Sequence, residues 1–249
     1  MLLPTHLQQK IRTVRHVIAI VHSDSLELWL FSNDTRMELS LEAILPAYFN
    51  TTQADSSEVW GRSLHFQNGE YIKIVAPSGS GKTSLMHFLY GIRNEYNGDI
   101  SYNKKSIKNF DIEEFAHYRK NHLSIVFQDL RLFPQQTVWE NIELKRQLNP
   151  FHPPERISEM AERLGIADKL QSKSQICSYG EQQRIAIIRA LMQPYDFLLL
   201  DEPFSHLDNQ NSQLAMQLML EESKKRNAAI IFADLERIDY FPYQRLYHL

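Results

Sequence analysis

The run Ala76-Pro77-Ser78-Gly79-Ser80-Gly81-Lys82-Thr83-Ser84 constrains this chain more than any other stretch. An apolar strand-like run, Tyr71-Ile72-Lys73-Ile74-Val75, precedes it, and a helix-like run, Leu85-Met86-His87-Phe88-Leu89, follows. Strand, glycine-rich loop, Lys-Thr and helix, in that order, make a phosphate cradle. Gly79 and Gly81 permit the tight turn that converges backbone N–H groups on an anion. A helix opening near Lys82 adds the positive end of its dipole. The Lys82 ammonium has the reach for the outer phosphates, and the Thr83 hydroxyl suits magnesium. A glycine-rich turn with no ligand is the alternative, and the ordered context argues against it. Ala76 stands where the motif has its first glycine. If that position needs positive φ, alanine there costs about 1 kcal/mol; if not, it costs little.

A chain of 249 residues can bury a core as one large domain or two intimate lobes. Its net charge of −3 provides no basic field for nucleic acid. The single cysteine, Cys177, excludes an intrachain disulfide and suits a reducing cytoplasm. No run approaches the ~20 apolar residues of a membrane span. The start, Met1-Leu2-Leu3-Pro4 with Gln8-Gln9-Lys10, lacks a signal peptide's apolar core. A membrane role is therefore expected to come through a partner. Scattered histidines show no metal-ligand spacing.

Residues 17–31 read as a hairpin, with His22-Ser23-Asp24-Ser25 as the turn. This extra N-terminal segment, residues 1–36, is either an added hairpin or a partner contact. Alternation at Leu39, Leu41, Ala43 and Leu45 predicts a strand with one buried face. A polar loop over 50–57, a strand near Val59–Phe66 and a primed turn at Asn68-Gly69 follow. Residues 94–98 read as a turn and Asp99–Tyr102 as a short strand. Helices are expected over 111–120, 137–148, 155–164, 178–192 and 209–226, and buried strands over 124–128, 197–200 and 228–233. Antiparallel β thus feeds an α/β core, with a helical block at about 110–180 inserted.

Two further constellations carry chemistry. Phe197-Leu198-Leu199-Leu200 runs into Asp201-Glu202-Pro203. An aspartate ending a central strand beside a phosphate loop can hold magnesium, and the adjacent glutamate can act on the attacking water. In Cys177-Ser178-Tyr179-Gly180-Glu181-Gln182-Gln183-Arg184, Ser178 and Glu181 make a capping box, with Ile185, Ile188 and Met192 as a buried stripe. The same helix start is also an anion site.

In order, the phosphate loop, Gln128, Ser-x-Gly-Glu-Gln-Gln-Arg, Asp-Glu-Pro and Ser205-His206-Leu207-Asp208 resemble an ATP-binding cassette (ABC) ATPase, over about residues 37–249. The resemblance implies an α/β P-loop NTPase with a RecA-like core, an antiparallel β-subdomain and an inserted helical lobe. It implies ATP and Mg2+ as ligands. Tyr48 would stack on adenine, with Phe49 as the fallback. Residues Ala76 to Ser84 would wrap the triphosphate, with Thr83, Gln128 and Asp201 serving the metal. Gln128 would also touch the attacking water and sense a membrane subunit, and Glu202 would be the catalytic base. Ser178 and Gly180 would contact nucleotide held by a second protomer, and Ser205 to Asp208 would line the dimer seam. The partners implied are a transmembrane permease and a second cassette, identical or different, at the inner face of the cell membrane. Exporter-type cassettes of the lipoprotein-releasing, macrolide-export and cell-division groups are the most similar.

Three departures stand out. Ala76 replaces a loop glycine, and Tyr179 replaces the first signature glycine. Ala233-Asp234 stands where the family has a switch His-Asp after the strand Ala229-Ile230-Ile231-Phe232. Alanine cannot hydrogen-bond a γ-phosphate. The expectation is ATP binding with slow turnover, since one lost polar contact to a transition state typically costs ~10²–10³ in rate. A nucleotide-gated binding module with little hydrolysis is the rival reading. A cassette acting on nucleic acid or ribosomes is disfavoured by the acidic balance.

Overall fold

The computed structural model describes residues 37–49, 54–235 and 240–249. The expected hairpin over 17–31 lies outside them, as does the start of the polar loop at residues 50–53. The described residues belong to one compact unit, Met37–Leu249. Four strands, β1 (Glu38–Pro46), β2 (Ser63–Gln67), β4 (Tyr96–Tyr102) and β5 (Lys105–Ser106), form an antiparallel sheet in the order β2-β1-β4-β5. Five others, β3 (Tyr71–Val75), β6 (Leu123–Val126), β7 (Phe197–Asp201), β8 (Ala229–Asp234) and β9 (Arg245–His248), form a parallel sheet in the order β6-β7-β8-β3-β9.

The antiparallel sheet corrects three expectations. The buried alternation in β1 holds at Leu39 and Leu41, then changes phase. Ala43 takes φ 49° and is exposed, the register shifts between Glu42 and Leu45, and Ile44 becomes the core residue at 0% exposure. This is a β-bulge, in which one extra residue turns the face of the strand. Gly98 sits opposite it inside β4 rather than in a turn. A Cβ at Gly98 would lie 2.4 Å from the Ala43 carbonyl oxygen, so the glycine serves close backbone approach. Asn68-Gly69 is not a primed hairpin turn either. Only Gly69 has positive φ, 80°, and β2 and β3 lie in different sheets.

The parallel sheet presents alternate residues to two cores. Leu198, Leu200, Ile230 and Phe232 face the helical block. Phe197, Leu199, Ala229 and Ile231 face the phosphate-loop helix and the antiparallel sheet. Six helices are described: α1 (Lys82–Leu89), α2 (Ile112–Asn121), α3 (Val138–Leu148), α4 (Glu155–Arg163), α5 (Tyr179–Leu191) and α6 (Asn209–Arg226). Their starts follow local chemistry. Asp111 with Glu114, Thr137 with Glu140, and Ser178 with Glu181 each close a reciprocal capping box. Helix α6 stops at Asn227 in the left-handed conformation. Fully buried Glu222 in α6 takes Arg156 of α4 at 2.8 Å and Arg226 at 2.7 Å, which fastens the helical block to the helix behind the sheet.

Lys73 breaks the apolar pattern of β3. It is fully buried, its ammonium lies 3.5 Å from the Phe232 ring centre and 3.6 Å from the Asp234 carboxylate, and it has no hydrogen-bond partner. Burial pulls its pKa down to about 8, against the pull of Asp234. An unfolded lysine titrates near ~10.4, so between those values the unfolded chain binds more protons and folding stability rises with pH. Half-buried Lys145, also pulled down to about 8 by burial, acts in the same direction. The expected outcome is that the urea midpoint of the wild type rises from pH 8 to 9.5 more steeply than that of Lys73→Met. Equal slopes would show that Lys73 titrates normally.

Candidate nucleotide site

The site forms where β3 and β7 end at the same edge of the parallel sheet, with β8 between them. After β3 the chain turns through Pro77-Ser78-Gly79-Ser80 and enters α1. Gly81 is the N-cap residue, with φ 96° and no side-chain cap, so the first N–H groups of α1 are left for an outside acceptor. Gly79 also has positive φ, 79°, and a Cβ there would meet nothing within 4 Å. Its backbone conformation, rather than crowding, requires glycine. At Gly81 both matter: a Cβ would lie 3.0 Å from the Trp60 ring and 3.2 Å from Phe49. The Trp60 indole donates to the Ser80 carbonyl at 3.2 Å and braces the loop from behind. Ala76 is absent from the positive-φ positions and is 2% exposed. The missing glycine therefore brings no backbone strain.

Lys82 is almost wholly buried. Its ammonium donates to the carbonyls of Ala76 at 2.9 Å and Pro77 at 3.0 Å and lies 3.2 Å from the Glu202 carboxylate. Glu202 in turn accepts from the Gln128 amide at 3.2 Å, and Gln128 accepts from the Thr83 hydroxyl at 3.0 Å. Gln128 sits two residues beyond β6 rather than at its last position. Asp201 ends β7 at 0% exposure, and neither carboxylate oxygen has a hydrogen-bond partner. Burial pushes its pKa up to about 6, with Thr83 opposing and Glu202 reinforcing the shift. Glu202 takes φ 47°, a left-handed conformation that costs a residue with a Cβ about 1–2 kcal/mol.

These side chains open on a cavity of about 250 Å³ lined by Tyr48, Phe49, Ser78, Gly79, Gly81, Lys82, Thr83, Ser84, Gln128 and Glu202. Tyr48 is half exposed at its rim, hydrogen-bonded through its hydroxyl to Ser84 and packed edge-on against Phe49. A larger cavity of about 590 Å³ near Arg93, Lys108 and Phe115 has no such loop or carboxylates, so size alone does not locate the site. Ser178, Gly180 and Asp208 do not line the cavity of their own chain. Ser178 caps α5, Asp208 caps α6, and Gly180 lies close to the His206 carbonyl. Tyr179 is half exposed, with its ring on His206 and its hydroxyl donating to the Gln128 carbonyl at 3.4 Å.

Ala233 is fully buried in β8 and pairs in register with Asp201, so it shares the strand face of that carboxylate. Its methyl group forms no hydrogen bond. The first exposed side chain past the strand is Leu235, 45% exposed. Sequence reading missed Trp60 and Gln183. Nothing in strand periodicity marks Trp60, but Gln183 was detectable as a polar residue on the buried stripe of α5.

A family model described as "ABC transporter" matches residues 60–205. The chain belongs to the ABC transporter family. The lipoprotein-releasing system ATP-binding protein LolD of Legionella pneumophila (strain Lens) is 33% identical over 174 residues, 69% of this chain and 77% of that protein. The macrolide export ATP-binding/permease protein MacB of Nitrosomonas europaea is 32% identical over 195 residues, 77% of this chain. The chain spans only 30% of that MacB's length. A dimeric structure of the ABC transporter cassette MJ0796 superposes with a TM-score of 0.74 at 22% identity, covering 85% of this chain and 94% of that one, and establishes the shared cassette fold.

The donors present in this ABC cassette fit a magnesium–nucleotide complex. Thr83, Gln128 and the unpaired Asp201 carboxylate form an oxygen-only set of the kind a hard cation takes. Ala76→Gly tests the loop. Nucleotide affinity should stay within about two-fold of wild type by titration calorimetry. Stability should fall by about 0.4–1 kcal/mol, because the unfolded chain gains freedom. A large gain in affinity would mean that Ala76 strains the cradle.

Proposed function

We propose that this chain binds and hydrolyses Mg-ATP as one cassette of a head-to-tail pair and so drives a membrane permease docked near Gln128. The observation that carries the reading is the convergence of Lys82, Thr83, Gln128 and Glu202 on one opening beside free helix N–H groups, with the buried Asp201 carboxylate next to Glu202 at the end of β7. Lys82 and the N-terminus of α1 hold the phosphates, Thr83 and Asp201 hold the metal, and Tyr48 stacks on the base. Bound magnesium would neutralise charge on the transferred phosphoryl group. Glu202, already aimed into the opening, accepts a proton from the attacking water, which Gln128 helps to orient. Ser178, Gly180 and Asp208 lie outside their own cavity, as residues serving a second protomer would.

The names of its relatives, an ATP-binding protein of a lipoprotein-releasing system and an ATP-binding/permease protein, support a permease partner. Among the described residues no helix is long and apolar enough to cross a membrane, so attachment at the inner face of the cell membrane would come through that partner. A weakly hydrolysing, nucleotide-gated module is the second reading, favoured by the alanine at position 233.

Phosphate release by the whole chain tests the proposal. Glu202→Gln should lower it by at least 10²-fold while ATP still binds. Turnover undiminished in Glu202→Gln would overturn the assignment of the base. Ala233→His should raise wild-type turnover by 10–10²-fold. If it does not, the missing histidine at this position is not what limits the rate.

A further inference from the structure

Glu202 is held in its left-handed conformation from both sides. Its N–H donates to the Ala233 carbonyl of β8 at 3.0 Å. Its carbonyl accepts from the side chain of Gln183, which is 1% exposed on the buried face of α5. All three hydrogen bonds of the Gln183 amide go to this turn. Nε2 donates to the Glu202 carbonyl and to the Ser205 hydroxyl, each at 3.3 Å, and Oε1 accepts the His206 backbone N–H at 3.1 Å. The flanking polar residues do otherwise: Gln182 donates to the Cys177 carbonyl, and Arg184 to those of Gly180 and Leu164. Gln183 lies on the buried stripe of α5, where packing alone would be met by an apolar residue.

We infer that Gln183 is a positioning residue for Glu202: its amide pins the 202–206 turn and so aims the Glu202 carboxylate into the nucleotide opening. The inference rests on the reading of Glu202 as the base. The atoms involved are few and directional. Without the amide, the Glu202 carbonyl and the His206 N–H lose buried partners, and the turn is free to leave its strained conformation. The carboxylate then moves away from Lys82 and Gln128, which it now meets at 3.2 Å each. Displacement by about 1 Å from a catalytic geometry can cost 10²-fold in rate.

The test uses the full chain carrying Gln183→Met, of similar volume, and Gln183→Glu, which keeps the acceptor and loses the donor. In both, kcat should fall about 10²-fold with ATP affinity unchanged. In a Glu202→Gln background, Gln183→Met should lower the residual rate no further. Amide hydrogen exchange at His206 should accelerate in Gln183→Met and stay near wild type in Gln183→Glu. Unchanged kcat, or the same loss with Glu202 already removed, would overturn the inference. A wild-type chain that binds ATP without releasing phosphate would instead overturn the reading of Glu202 as a base. The exchange at His206 would still decide whether Gln183 holds the turn, with unaltered exchange in Gln183→Met counting against it.

Discussion

The contact between Lys82 and Glu202, 3.2 Å apart and nearly closed to water, is the constraint on which the rest depends. One residue starts α1 and the other follows β7, more than a hundred residues along the chain. They meet because β3 and β7 end at the same edge of one parallel sheet. A buried ammonium beside a buried carboxylate is costly unless each neutralises the other and the remaining donors find acceptors. Here the Ala76 and Pro77 carbonyls take Lys82, and the Gln128 amide takes Glu202. In the proposed function, the phosphates of a nucleotide would offer Lys82 an alternative anion and free Glu202 to act on water. These contacts hold both groups in place without leaving either charge unpaired.

The second sheet and the helical block serve this edge. The β-bulge at Ala43 rotates the end of β1, and Ala47 then donates to the Glu95 carbonyl, setting Tyr48 at the rim of the opening. Trp60 and Phe49 fill the space behind Gly81. From the other side α5 brings its capped N-terminus, the Gln183 amide and Tyr179 against the turn after β7. The family's binding chemistry therefore rests on packing between three separate layers of the chain.

What the sequence alone revealed divides along physical lines. Features fixed by short-range chemistry were legible: the phosphate loop, the capping box at Ser178, and the apolar strand leading to Asp201. The parallel sheet followed from alternating strand and helix patterns. Features fixed by long-range approach were not. Gly98 looks like a turn glycine until Ala43 is seen to press on it. Asn68-Gly69 looks like a hairpin turn, but its two strands join different sheets. Lys73 gives no hint in sequence that its ammonium lies against Phe232. In each case, the deciding partner sits far away in the chain.

The most direct measurement is the affinity of the purified chain for ATP with and without magnesium, by calorimetry, beside Lys82→Ala and Asp201→Asn. The account predicts magnesium-dependent binding that Lys82→Ala weakens by at least about 10²-fold, and loss of the magnesium dependence in Asp201→Asn. ATP binding that is equally tight in all three chains, or indifferent to magnesium in the wild type, would contradict it.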